Sequence, residues 1–287
     1  MKTYLKLNPF LFAALFGMGL SSCTDKIELD LPEGERYLVV EGWITNQDRP
    51  HQVKLTYTSA YFSDAPAPVA SGAEVIIADD LGNENLLEET QPGIYTLAVG
   101  GEIGRTYNLR IALADGTLYE STPEKLLQPV PIDTAYWALS DDEPNEEDGE
   151  EPDDIYEVLI DTNEPPGPGD HYQWRTFLNG VEFREPFDIF TISDEFVDGN
   201  PILGFNIASK LFSANDTVTI VQERISRPAY EFLAAVQTLT AFVGSPFDSP
   251  PAPIDGNVRN FSNPKRNALG FFGVSATDEA TTIVGVE

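Results

Sequence analysis

Cys23 is the single cysteine among 287 residues, and the residues ahead of it assign it a chemistry. Lys2 and Lys6 lead into an apolar run over residues 9–20, and Leu20-Ser21-Ser22-Cys23 places one bulky apolar and two small residues before the thiol. A basic start, an apolar core and a small-residue cleavage site make a secretory signal. A cysteine directly after such a site is expected to become the lipidated first residue of the mature chain. The run falls short of the roughly 20 apolar residues that a spanning helix needs. The alternatives are an ordinary signal peptide with an incidental cysteine, or a transmembrane helix. One acyl chain holds a protein marginally, whereas two or more anchor it stably. The expected layout is a signal peptide over 1–22 and a lipidated acidic tether over 23–36.

Other reactive chemistry is sparse. His51 and His171 are the only histidines, neither in a His-x-x-x-His or His-Glu-x-x-His context, and no Gly-x-Ser-x-Gly elbow occurs. His51 follows Asp48-Arg49-Pro50 and is expected to face solvent; His171 opens a strand. A tetrahedral zinc site lacks nitrogen and sulfur ligands. The 47 acidic residues permit a glycosidase-type pair, but that needs two carboxyls about 5–10 Å apart, which spacing along strands does not show. The densest acidic block, residues 141–154, offers hard oxygens of the kind calcium takes, without the Asp-x-Asp-x-Asp-Gly order of a preformed loop. It reads as a solvated loop, with weak calcium binding or contact with a basic partner as the alternatives. No catalytic residue and no cofactor is expected.

Aromatic residues divide by context. Trp43, Trp137 and Trp174 sit in strand patterns and are expected in sheet cores. Tyr61, Phe62 and Phe247 fall in loops, where an aromatic needs another reason to be present, and are the candidates for ligand or partner contact. A formal net charge of −30 opposes phosphate backbones and anionic headgroups, which excludes nucleic-acid binding. A content of 41% hydrophobic and 11% aromatic residues argues for a packed protein rather than a disordered one.

The elements that position these residues are strands. Val53, Leu55 and Tyr57 alternate with Lys54, Thr56 and Thr58, the signature of a half-buried strand. Segments 37–44, 74–78, 93–97, 104–111 and 118–121 follow, with a short one near Leu86-Leu87, and Asp115-Gly116 is a hairpin turn. Short strands without a helical stretch over residues 37–122 read as a β-sandwich. Three prolines between 123 and 131 read as an extended linker. Strands are then expected near 132–137, 155–160, 172–177, 181–183, 187–192, 202–207, 217–223, 269–275 and 281–286. One helix near 227–243 is capped by Ser226, begins with Pro228, and places Ala229, Phe232, Leu233, Val236, Leu239 and Val243 on one stripe, expected to pack on the second sheet. The fold class is therefore mainly β: an N-terminal immunoglobulin-like or transthyretin-like β-sandwich, then a second β-rich domain over 132–287 with one inserted helix.

The order of several short segments resembles a Bacteroidota lipoprotein family known as domain of unknown function 4249. They are Leu38-Val39-Val40-Glu41-Gly42-Trp43-Ile44, Gly72-Ala73-Glu74-Val75, Gly93-Ile94-Tyr95, Gly104-Arg105-Thr106-Tyr107, Tyr172-Gln173-Trp174-Arg175, Gly256-Asn257-Val258 and Leu269-Gly270-Phe271-Phe272. The resemblance covers nearly the whole mature chain. It implies an outer-membrane lipoprotein often encoded beside TonB-dependent receptors, and it carries over no activity and no catalytic residue. Asp25, Glu28 and Asp30 after Cys23 look like the surface-export signal of such lipoproteins, with Lys26 interrupting the acids.

Together these readings predict a non-enzymatic, surface-exposed outer-membrane lipoprotein that partners an outer-membrane β-barrel receptor or assembly, for example in nutrient uptake. An adhesin-like structural module and a carbohydrate- or peptide-active enzyme are the alternatives.

Overall fold

In the segment His51–Tyr57, residues His51, Val53 and Leu55 are buried and Gln52 and Lys54 are exposed. That period of two fits a strand with one face on a core and the other in water. The same logic runs through the computed structural model, which describes residues 36–59, 65–140, 155–207, 210–241 and 254–286. The first group of strands is β1 (Leu38–Thr45), β2 (His51–Tyr57), β3 (Glu74–Asp79), β4 (Glu84–Leu86), β5 (Glu88–Gln91), β6 (Ile94–Leu97), β7 (Thr106–Ala112), β8 (Leu118–Ser121) and β9 (Glu124–Lys125). The second is β10 (Ile132–Leu139), β11 (Tyr156–Asn163), β12 (His171–Leu178), β13 (Val181–Glu182), β14 (Phe190–Ser193), β15 (Pro201–Asn206) and β16 (Thr217–Ile225). Helix α1 (Arg227–Ala241), β17 (Val258–Asn260) and β18 (Leu269–Ile283) complete the order. The protein is mainly β, built of β-sandwiches, with one α-helix among the described residues. That helix is too short to cross a membrane.

One nine-stranded sheet runs β13-β12-β16-β18-β1-β2-β6-β5, with β14 also on β12. Two smaller sheets, β17-β8-β7-β3-β4 with β9 on β7, and β10-β11-β15, supply the second layers. The first core gathers Val40, Leu55, Tyr95, Ile77, Leu109 and Phe272, and the second Val158, Ile160, Tyr172, Trp174, Val218 and Ile220.

Strand β18 joins the two. Residues 269–275 pair in parallel with β1, and residues 276–283 pair antiparallel with β16. The sequence reads as two strands here because its second half turns polar. That half is still one strand, with Glu279, Thr281 and Ile283 exposed and the residues between them half-buried. Residues 271–277 are buried throughout, as expected where a strand is covered on both faces.

The division at residues 123–131 needs amendment in two respects. The first sandwich is not made by 37–122 alone, because Val258, Ala268, Phe272, Val274 and Ala276 lie in its core and β17 pairs with β8. The Pro-rich segment is not a free spacer either. Glu124 and Lys125 pair with β7, Leu126 is buried in the first core, and Val130 is buried in the second. Gly270 shows how tightly the returning strand is held: at φ +82°, a Cβ there would lie 2.1 Å from the Val40 carbonyl oxygen.

The helix begins where its cap predicts. Ser226 Oγ accepts the Ala229 amide at 3.2 Å, and the first-turn bond runs from Tyr230 N to Ser226 O at 3.0 Å. Its stripe meets the outer face of the large sheet. Ala229 is buried, Phe232 stacks on Phe271 with centroids 5.1 Å apart, and Tyr230 lies 4.9 Å from the His171 ring. Val243 lies outside the described residues.

Candidate functional site

A cleft opens at the end of the first sandwich where the described chain begins. Three tyrosines reach it from different elements: Tyr37 just ahead of β1, Tyr57 at the end of β2 and Tyr119 on β8. The Asp115-Gly116 turn, with Gly116 at φ +85°, brings a carboxylate to the rim. Asp115 Oδ1 accepts the Thr117 amide at 2.9 Å, and that bond holds its carboxyl below the ordinary range. The opposite wall is the segment after β17. Asn260 organises it: its Oδ1 accepts the Asn263 amide at 2.7 Å, and its Nδ2 donates to the Arg266 carbonyl at 3.0 Å. Arg266 in turn donates Nη2 to the Arg36 carbonyl at 2.9 Å, with its guanidinium 5.6 Å from the Tyr37 ring centroid.

The cleft encloses about 230 Å³. Burial, then the charge of Asp115, pushes the Tyr57 hydroxyl up; burial, then repulsion from the Tyr57 phenolate, does the same to Tyr119. Both therefore stay protonated and remain donors at neutral pH. Aromatic faces, two guanidinium-bearing residues and planar amides around a small volume suit recognition of a polar ligand such as a sugar or an extended peptide. A shallow trough lies on the outer face of the same sheet, between Ile76, Arg110, Leu118 and Phe261, with Leu118 and Phe261 exposed.

Two polar clusters lie deeper. One is a relay on the helix-covered face of the large sheet. Trp43 Nε1 donates to Ser275 Oγ at 2.7 Å, Ser275 donates to Glu223 Oε2 at 3.2 Å, and Arg175 bridges Glu223 (3.1 Å) and Glu182 (2.5 Å). Burial pushes the Glu223 carboxyl up despite Arg175. For Glu182 burial acts the same way, but hydrogen bonds from Arg175 and Arg184 outweigh it and hold the group low. The relay ties together β13, β12, β16, β18 and β1 and every member has a partner, so its role is structural. The other cluster is Glu164, Asp170 and Asp194, three buried carboxylates with one oxygen from each within 4.8 Å of the others.

Cys23, Tyr61, Phe62, Phe247 and the acidic loop 141–154 all lie outside the described residues. His51 does not face solvent as its turn-like context implies. It is buried, with Nε2 3.1 Å from the Gln47 carbonyl, and burial holds its pKa down. His171 is buried at the start of β12. Trp174 lies in the second core, Trp137 packs against it from β10, and Trp43 lies instead under the helix. The cleft is not legible in the sequence, because its tyrosines sit in or beside strand patterns that read as core. The one available signal was the run Asn260-Phe261-Ser262-Asn263, whose side chains hold an irregular loop.

No curated protein matches the chain. Among solved structures, a two-domain fibronectin type III segment from chicken tenascin aligns at 10% identity over 67% of this chain and 92% of that one, with a TM-score of 0.19. The profile of the domain of unknown function (DUF4249) matches residues 24–281, most of the chain, and the protein belongs to that family.

Proposed function

We propose that the protein is an outer-membrane lipoprotein of the Bacteroidota that faces the cell exterior. It would act by binding rather than catalysis, as an accessory partner of an outer-membrane β-barrel receptor of the TonB-dependent kind. The observation that carries this reading is the position of the cleft. Arg36 and Tyr37 line it, and only 12 residues separate Arg36 from Cys23. At about 3.3–3.6 Å per residue the 13 steps from Cys23 to Arg36 reach at most about 47 Å, so a lipidated Cys23 would hold the cleft within about that distance of the bilayer. A ligand-binding surface at that height suits delivery to a membrane-embedded partner. The exposed Leu118 and Phe261 on the adjoining face provide apolar surface that a protein partner covers.

Capture of the full-length protein from detergent-solubilised native outer membranes tests this. Recovery with a β-barrel protein in equimolar amount, lost on Phe261→Glu, supports the reading. Recovery without any β-barrel overturns it.

A further inference from the structure

We propose that the cleft at the end of the first sandwich binds one sugar ring carrying a single carboxylate, a uronic acid, with Arg36 receiving the carboxylate and Asp115 the hydroxyls. This rests on the reading of that cleft as the protein's ligand-binding surface and names what it takes.

The backbone decides between a peptide and a sugar. A peptide that adds itself to a sheet needs a row of unpaired N–H and C=O groups. Around the cleft the amides are already paired within the protein. Tyr57 N donates to the Pro68 carbonyl at 2.7 Å, Thr58 N to the Tyr37 carbonyl at 3.0 Å, and Phe261 N to the Leu118 carbonyl at 2.8 Å. The Leu118 amide donates to Ser262 Oγ at 3.0 Å. What is left to meet a ligand is side chains. The Tyr57 hydroxyl has no hydrogen-bond partner among the described residues, and Ser262 Oγ, having accepted, keeps its O–H to donate. Asn263 Oδ1 accepts the Lys265 amide at 3.3 Å, which turns its NH2 group away from that bond as a further donor. Hydroxyls and an amide set among aromatic rings match the hydroxyls and C–H faces of a sugar. The cleft's volume of about 230 Å³ falls below the about 300–1,000 Å³ of drug-sized sites, so it takes one ring.

Charge selects the acidic kind. Arg36 lines the cleft, is exposed, and makes no ion pair among the described residues. Its planar fork matches a carboxylate, which it can hold through two parallel hydrogen bonds. The Asp115 carboxylate has one oxygen on the Thr117 amide and lone pairs left for ring hydroxyls. It repels a second carboxylate, so the acid end of the ring goes to Arg36 and the hydroxyl end to Asp115. The formal net charge of −30 opposes a polyanion, which limits the ligand to one carboxylate.

The test is calorimetric titration of the full-length protein in detergent with methyl glucuronide and methyl galacturonide. The matching neutral methyl glucoside and methyl galactoside and the dipeptide N-acetyl-alanyl-alanine are titrated beside them. One uronide per chain is expected to bind at millimolar concentration or below. The neutral glycosides and the dipeptide are expected to bind at least about fivefold more weakly, the worth of one partly screened ion pair. Arg36→Gln is expected to remove that preference and to leave neutral-sugar binding as it is, with an unchanged unfolding midpoint because the side chain is exposed. Tyr57→Phe is expected to weaken acidic and neutral sugars alike. Absence of saturable binding by either uronide overturns the proposal, as does a uronide affinity unchanged by Arg36→Gln. Neutral sugars that bind as tightly overturn the acidic assignment, and a dipeptide that binds more tightly overturns the sugar. The accessory role stands or falls separately. A β-barrel captured with a protein that binds no uronide fells this inference alone, and uronide binding without a captured β-barrel fells that role alone.

Discussion

Trp43 lies across Gly273. The two residues are partners in the parallel β1–β18 ladder, and a Cβ on Gly273 would stand 2.3 Å from Cζ3 of the indole. The ring occupies the space a side chain would fill, and its N–H continues to Ser275. Helix α1 lies over the same patch through Phe232 and Phe271. Gly273→Ala is therefore expected to displace the indole and lower stability by about 1–3 kcal/mol, read as a lower urea midpoint with an unchanged slope. A wild-type midpoint would mean that the indole has room to move.

The Arg175–Glu223 pair makes a second prediction, which a double-mutant cycle reads. Arg175→Met leaves the Glu223 carboxylate buried beside only a serine hydroxyl, at a cost of about 3–5 kcal/mol. Adding Glu223→Leu removes the stranded charge, so the double variant is expected to be more stable than Arg175→Met alone. Equal or lower stability of the double variant would show that the pair contributes through more than mutual neutralisation.

Much of this architecture was legible in the sequence. Period-two alternation located β2, β7 and β12, because each has one wet face, and Ser226 with Pro228 located the helix start. What remained hidden was pairing over long separations. Nothing local in Phe271–Ile283 says that one half joins β1 and the other β16, and the acids of its second half imitate a loop. The site residues were less legible. Glu164, Asp170 and Asp194 come together only because a Pro-Gly loop folds back on the turn at 194–196, and Tyr57 and Tyr119 read as core residues until Asn260 shapes the wall beside them.

Glu124 gives the pH dependence its sign. Burial lifts its carboxyl to about 7, against the lowering effect of Ser226 and Asn257. The folded protein thus holds a proton there that the unfolded chain has released. Stability from this group is full below about 4.5, falls as pH rises, and levels off above about 7, a loss of up to about 3 kcal/mol. Glu124→Gln is expected to flatten that slope and to be the more stable protein at pH 8, as urea unfolding at pH 5 and pH 8 measures. Parallel curves for the two proteins would contradict the assignment.

The apolar trough makes the partner contact separable from the fold. Leu118 and Phe261 are 50% and 65% exposed, so Leu118→Glu and Phe261→Glu are expected to leave the unfolding midpoint within about 0.5 kcal/mol of wild type. The same variants are expected to lose β-barrel recovery in membrane capture. Undiminished recovery would place the contact on another face.

Tethering of a binding module to the membrane is tested most directly by the mass of the mature N-terminus, measured on protein isolated with its native outer membrane. The expected mass is that of a chain beginning at Cys23 with a diacylglyceryl thioether. A mature chain that begins elsewhere, or carries Cys23 as a free thiol, contradicts it.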